Sequence, residues 1–281
     1  MKLKELIEKV LLLIKRRELK EKFLIKLFRF YFRVFPRRGL KVLKKNWDVL
    51  IVLDACRYDI FKEVCREKKI KGELHRVSSV GSSTIEWVKK NFETDCSDIV
   101  YYSSNPYVSK YLIRKTFGKR KFYDIIPVWD FGWDEELKTV PPEKVNEAFF
   151  KYCKDYPSEK KAIIHYMQPH HPFIADKESM KLIQEGWKFA REERKGREIR
   201  KKTIWDKIRK GDIPIEVAFR SYKKNLELVL DSIEDLSRKI EGKIVITSDH
   251  GNCFGEKGLL EHPYGVHINE LKDVPWFILE K

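Results

Sequence analysis

The 281-residue sequence predicts an α/β domain with a mostly parallel central sheet and helices on both of its faces. Three observations lead there. Several short apolar runs have the length of buried strands. Helical stretches separate them. Acidic and imidazole side chains gather where the runs end.

The runs are "DVLIVLD" (48–54), "AIIHYM" (162–167), "KIVITS" (243–248) and "VPWFIL" (274–279), with "DIVYYSS" (98–104) as a weaker fifth. Rich in Val and Ile and apolar on both sides, they read as strands covered on two faces. Helical spacing occupies 84–92, 142–155 and a longer stretch near 214–240. In such sheets ligands bind beyond the carboxyl ends of the strands. The segment 177–211 is dense in charge and has little apolar periodicity beyond "IWDKI", so it reads as a surface insertion, a lid or a solvated helix pair. No internal repeat or low-complexity tract is present.

Composition divides the chain in two. Forty-two per cent hydrophobic residues suffice for a large core, which excludes global disorder. The net charge of +16 sits mostly in residues 1–45, where 16 Lys/Arg face four Glu, leaving only +4 for the other 236 residues. The expected organisation is therefore a basic amphipathic helical arm at 1–45 and an enzyme-sized body at 46–281. In the arm Leu3, Leu6, Ile7, Val10 and Ile14 keep helical spacing, and Phe23, Leu27, Phe30 and Val34 repeat it. Its longest uncharged run, Val10–Ile14, is too short to span a bilayer, and no signal-peptide pattern follows. Two readings of the arm stand side by side: an interfacial helix on an anionic membrane surface, or a helix packed on the body with a solvated basic face. No nucleic-acid motif is present, so no nucleic-acid partner is expected. Five cysteines, odd in number and without a CxxC pair, argue against a disulfide framework or a thiolate zinc site. They suggest a reduced cytoplasmic setting, with peripheral attachment at the inner membrane face. The Lys, Glu and Ile content would suit a thermophile.

The chemistry collects at the strand exits. "DVLIVLD" ends in Asp54, "AIIHYM" runs into His170 and His171, and "KIVITS" into Asp249 and His250, while His262 and His267 precede the last strand. Oxygen and nitrogen donors without sulfur suit a divalent cation, Zn²⁺ or Mn²⁺ rather than Ca²⁺. For a nucleophile, "GSSTIEW" offers Ser82, Ser83 and Thr84 at the start of a helix. Ser83 with Glu86 fits a capping box, so Ser83 can be a cap alone. A hydroxyl there also lies in the positive potential of the helix end, which favours an incoming phosphate.

"VLIVLDACRYDIF", the Gly-Ser-Ser-Thr helix start, "PHHPF", "TSDHG", "HPYG" and "VPW" resemble the alkaline phosphatase/sulfatase superfamily in order and spacing, from about Asp48 to Trp276. The closest likeness is to its archaeal sulfatase-like proteins. The resemblance implies a three-layer α/β/α sandwich and a metal-dependent hydrolase or transferase of phosphate or sulfate esters, working through a covalent intermediate. It implies Asp54, Asp249 and His250 as ligands to at least one metal, with the nucleophile hydroxyl, assigned to Ser83, as a further ligand. Ser82 and Thr84 are the alternative nucleophiles. His170 or His262 would protonate the leaving oxygen, and His171 and His267 would border the substrate. Arg57 would clamp an anionic oxygen, its alternative being a surface ion pair.

Sulfatases mature a Cys or Ser followed by Pro or Ala and then Arg, and Ser83-Thr84-Ile85-Glu86-Trp87 has neither the proline nor the arginine. Formylglycine chemistry is therefore not expected. The expected reaction is on phosphate esters through a serine-bound intermediate, with a phosphorylated substrate that is lipid-linked or a glycan. A sulfatase without formylglycine, taking a sulfated substrate, and an inactive sulfatase-like binding protein are the alternatives.

Overall fold

The computed structural model describes residues 17–176, 180 and 204–280. Residues 1–16 of the basic arm and most of the charged stretch at 177–211 lie outside these. The chain opens with α1 (Arg17–Val34), then β1 (Val49–Asp54), α2 (Tyr58–Lys68), β2 (Gly72–Ser78), α3 (Thr84–Asn91) and β3 (Cys96–Ser103). It continues through α4 (Lys110–Phe117), β4 (Phe122–Ile126), α5 (Pro142–Tyr152) and β5 (Lys161–Pro169). After α6 (Ile204–Lys210) and the long α7 (Ile215–Ser237) come β6 (Ile244–Ser248), the short β7 (Cys253–Phe254) and β8 (Leu260–Glu261), and finally β9 (Asp273–Leu279).

Seven strands form one sheet in the order β2-β9-β6-β1-β5-β3-β4. The pairs from β6 through β1, β5 and β3 to β4 are parallel, while β9 lies antiparallel to both β6 and β2. All five apolar runs are strands, and the sandwich implied by the resemblance is the fold found. Two strands of this sheet, β2 and β4, were not expected, nor was the small β7–β8 pair. β2 is an edge strand whose charged sequence "GELHRVS" leaves most of its side chains partly or fully exposed, so it lacks the apolar signature of a covered strand.

Alternate residues of β1 serve opposite layers, as the pleat requires. Val49, Ile51 and Leu53 join α2, α5 and α7 in one core. Leu50 and Val52 face Trp87, Val88 and Phe92 of the α3 region and Ile113 of α4 in the other. A third, smaller cluster holds the arm: Phe32, Leu24, Ile25 and Phe28 of α1 pack on Cys253, Leu259, Val266, Ile268 and Leu271.

The arm is also held by charge. Glu21, 3% exposed, accepts from Arg209 Nε at 2.7 Å and Nη2 at 3.1 Å, and from the Leu260 backbone N–H at 3.1 Å. Arg209 Nη2 also donates to Glu261 at 3.0 Å. One guanidinium thus bridges two carboxylates from distant parts of the chain. Removing one member of a buried ionic network strands its partners, at a cost of about 3–5 kcal/mol. Arg209→Ala is expected to destabilise the fold by about 3 kcal/mol in chemical denaturation and to speed proteolysis within α1.

Candidate metal and phosphoester site

The five parallel strands end on one side of the sheet, and their exits bring the polar residues together. At the end of β1 the pairing with β5 slips, so that Asp54 lies opposite Pro169. Such a bulge re-aims a side chain. Ala55 follows with φ 60, a left-handed conformation that costs a residue with a Cβ about 1–2 kcal/mol. Hydrogen bonds hold it there: its N–H donates to Asp249 Oδ1 at 3.1 Å and its carbonyl accepts from Tyr222 at 2.7 Å.

Asp54 and Asp249 are both essentially without solvent contact. Asp54 Oδ2 accepts from Asn105 Nδ2 at 2.6 Å, whereas its Oδ1, buried, has no hydrogen-bond partner among the described residues. Asp249 Oδ1 accepts from the backbone N–H groups of Ala55 and His250, and Oδ2 from the Thr84 hydroxyl at 2.7 Å. Burial, and for Asp54 also the Asp249 charge beside it, pushes both carboxyls above their ordinary range. His250 donates Nδ1–H to the Gly251 carbonyl at 2.8 Å, which fixes its tautomer. Its bare Nε2 then points at Asp249 Oδ2 (3.3 Å), Asp54 Oδ1 (3.7 Å) and the Thr84 oxygen (3.4 Å). Burial lowers this imidazole to about 4, so it is neutral at pH 7. The carbonyl that holds it depends on a close backbone approach. A Cβ on Gly251 would stand 2.1 Å from the Glu270 carbonyl oxygen.

These donors fit a divalent cation. An orphaned carboxylate oxygen, a second carboxylate and an imidazole lone pair converge where two negative charges otherwise repel. His165, on β5, adds to the set. Asp54, His165 and Asp249 each offer an atom within 4.8 Å of the others, and the buried His165 Nε2 has no hydrogen-bond partner among the described residues. Its Nδ1 is 2.8 Å from the Tyr101 hydroxyl.

A second group of imidazoles adjoins the first. His262 lies with its ring centre 4.4 Å from that of His250, and its Nε2 meets His170 Nε2 at 2.9 Å. His170 Nδ1 is 2.6 Å from the His171 carbonyl oxygen and so donates to it, which makes its Nε2 the acceptor and leaves the proton between the rings on His262. Burial lowers His170 well below its ordinary value and His262 to about 3.

Of the three candidate hydroxyls, Thr84 is the one bonded within the carboxylate cluster. Ser83 caps α3 with extended backbone, and its Oγ, buried, makes no hydrogen bond among the described residues. The capping expected of Ser83 with Glu86 is displaced by one residue: Glu86 Oε2 accepts from Ser82 N at 2.9 Å and from Ser82 Oγ at 3.1 Å. Ser82 Oγ also lies 3.0 Å from the Pro263 carbonyl oxygen. Three residues expected at the substrate have other occupations. Arg57 is bound on both edges, by Asp59 and by Glu256, and is not free to clamp an anion. His267 is 2.8 Å from Glu86 and lies tilted against Phe32. His171 accepts from the Trp205 indole at 3.2 Å and so stands behind His170. Asn105 and His165 were not anticipated. An amide after a weak strand and an imidazole inside a strong one carry no signal of a site.

A cleft of about 880 Å³ is walled in part by residues that directly follow Thr84 and Asn105 in the chain. Ile85 follows Thr84 and Pro106 follows Asn105, and both line it with Tyr107, Tyr111 and Leu112; Lys89 and Lys115 supply its positive charge.

No protein-family model and no curated protein sequence matches the chain. Solved structures do. The integral membrane lipooligosaccharide phosphoethanolamine transferase A of Neisseria meningitidis matches with a TM-score of 0.54 and 16% identity, over 82% of this chain and 47% of that one. Its soluble domain gives 0.52 and 14%, over 82% and 75%. The C-terminal periplasmic domain of phosphoethanolamine transferase EptC from Campylobacter jejuni gives 0.51 and 15%, over 82% and 77%. What is shared is the fold. The chain spans about half the length of the Neisseria membrane protein.

These neighbours correct the expected location. A periplasmic domain and an integral membrane protein point outside the cytoplasm, not to a cytoplasmic enzyme. The cysteine argument fails for a physical reason. Cys56, Cys65, Cys96 and Cys253 are buried, and burial pushes their thiols up, Cys65 and Cys96 to about 12. A buried protonated thiol resists oxidation in any compartment. Among the described residues no helix is long and apolar enough to cross a membrane.

Two outcomes follow from the buried charges. Asp54→Asn removes one of two like charges, so it is expected to keep or raise the melting temperature in chelator while weakening Zn²⁺ or Mn²⁺ binding in calorimetry by at least ~100-fold. Second, His165 and His250, lowered to about 4, and His171 and His262, lowered to about 3, are neutral when folded but take up protons below pH 6.5 when unfolded. Stability in chelator is therefore expected to fall as pH drops from 6.5 toward 4, by at most about 1.4 kcal/mol per pH unit for each imidazole. The two raised carboxyls work in the opposite direction and reduce that slope. Urea denaturation at pH 7.5 and 5 measures it.

Proposed function

We propose that the chain transfers or hydrolyses phosphate esters through a phosphothreonine intermediate on Thr84. The observation that carries this reading is the Thr84 hydroxyl, 2.7 Å from Asp249 Oδ2 and 3.4 Å from His250 Nε2, at the start of a helix. Asp54, Asp249, His250 and the Thr84 oxygen would hold a divalent cation, Zn²⁺ or Mn²⁺, with His165 in reach. When bound, the cation supplies positive charge that lowers the pKa of the hydroxyl and neutralises phosphoryl oxygens.

The rest is done by the chain. Asp249 Oδ2 accepts the Thr84 hydroxyl's hydrogen bond, orients the oxygen and takes its proton as it attacks. Thr84 Oγ forms a bond to phosphorus as the bond to the leaving oxygen breaks in line. His262, whose N–H is shared with His170, is placed to hydrogen-bond that leaving oxygen as its charge develops, and its proton comes from water. An acceptor alcohol or water then attacks the phosphothreonine and loses its proton to solvent, while Asp249 returns its proton to the departing Thr84 Oγ. The N-terminus of α3 adds partial positive charge beside the transferred group. Asn105 acts one step back, holding Asp54 in register.

The substrate class proposed is a phosphorylated lipid or a phosphorylated glycan. Apolar and aromatic walls beside Thr84, with lysines among them, suit an anionic ester that has an apolar or ring-bearing portion. The neighbours' names are consistent with this class, since two are phosphoethanolamine transferases, one acting on lipooligosaccharide.

The test is turnover of bis-p-nitrophenyl phosphate and p-nitrophenyl phosphate with Mn²⁺ or Zn²⁺. Thr84→Ala is expected to lose at least ~10³-fold in kcat, while Ser83→Ala and Ser82→Ala stay within ~3-fold of wild type. Equal loss in Ser83→Ala and none in Thr84→Ala would return the nucleophile to Ser83. Turnover of p-nitrophenyl sulfate above that of the phosphates would make the protein a sulfatase.

A further inference from the structure

The α1 helix is apolar on two opposite faces, and the body covers one of them. Leu24, Ile25, Phe28 and Phe32 take the inner face. On the outer face Phe23, Leu27, Phe30 and Val34 are 55%, 50%, 68% and 53% exposed, with Tyr31 and Phe35 beside them at 51% and 59%. The outer spacing of four, three and four residues is a stripe along one side of the helix. Lys22, Lys26, Arg29 and Arg33 repeat that spacing one residue behind and are all exposed, so a basic row runs along the stripe. Glu18, paired with Lys22 at 2.7 Å, is the one exposed acid on α1. Monomeric proteins do not leave large aromatic stripes in water without use for them.

We infer that the outer face of α1 docks on an anionic lipid surface, with Phe23, Leu27, Phe30 and Val34 entering the acyl boundary and the basic row resting on headgroup phosphates. Charge selects this occupant. A second copy of the chain would bring its own basic row against this one, whereas an anionic bilayer complements both the apolar stripe and the charge beside it. The inner face then couples the surface to the site. Arg29 Nε donates to the Tyr264 carbonyl at 2.7 Å, Arg37 Nη1 to the His267 carbonyl at 2.9 Å, and the Phe32 ring lies 5.6 Å from His267. These bonds fasten α1 to the loop that begins at His262. A bilayer under α1 is thus one loop away from the imidazole pair. The docking itself does not depend on the reaction proposed above, and its test reads binding alone.

The experiment is co-flotation of the full chain with vesicles of phosphatidylcholine containing about 30% phosphatidylglycerol, against vesicles of phosphatidylcholine alone. The chain is expected to float with the anionic vesicles, and raising NaCl from about 0.1 to 0.5 M is expected to release most of it. Leu27→Glu with Phe30→Glu leaves the inner face untouched and is expected to reduce flotation at least ~10-fold with an unchanged melting temperature. No flotation of the wild-type chain, or equal flotation of the double variant, would overturn the inference. A wild-type dimer in light scattering that the double variant abolishes, without vesicle binding, would make the stripe a self-association face and overturn it too.

Discussion

Two carboxylates that cannot see water, Asp54 and Asp249, face one imidazole nitrogen at the end of a parallel sheet, and much of the molecule is arranged around holding them there. Isolated, such a pair is costly, because burial and mutual repulsion both oppose charge. The fold meets that cost with fixed donors: Asn105 on one carboxylate, and two backbone amides and the Thr84 hydroxyl on the other. One oxygen of Asp54 is left over. Such an arrangement favours positive charge, and its residues are placed by strands or by the turns directly beyond them.

The parallel topology explains why residues so far apart in the chain meet. β1, β5 and β6 are hydrogen-bonded neighbours, with β3 beyond β5, so their exits are adjacent in space although they leave the sequence at 54, 169, 248 and 103. Each exit contributes one or two polar side chains. The backbone at these exits is itself under constraint. Ala55 and Glu261, both at φ 60, sit directly beside Asp54 and His262. Left-handed backbone at non-glycine residues is tolerated where surrounding bonds over-determine it, and such positions cluster at functional sites.

Much of this was legible in the sequence. β1, β5 and β6 are covered on both faces, so their apolar runs announce strands, and the acids and histidines that follow them announce a site. β2 was not legible, because an edge strand with charged side chains reads as loop. The loop of three hydroxyls shows another limit. Three consecutive hydroxyls share one composition, and only the dihedral angles of the turn decide that Thr84 faces Asp249 while Ser82 faces Glu86. Arg57 and His267 were misleading in a different way. Each is a good anion or metal group in principle, but Glu256 and Glu86, distant in sequence, had already claimed them. Pair formation across 199 or 181 residues leaves no local trace.

The fastening of α1 has a consequence for biogenesis. Arg29 and its partner Tyr264 are separated by 235 residues. At ribosomal rates of ~5–20 residues per second, roughly 10–50 s pass between the synthesis of the helix and that of the loop it grips. During that interval a segment apolar on two sides has no native surface to cover either one. Exposed apolar surface of that kind makes the nascent chain prone to aggregation until the loop at Tyr264 has been made.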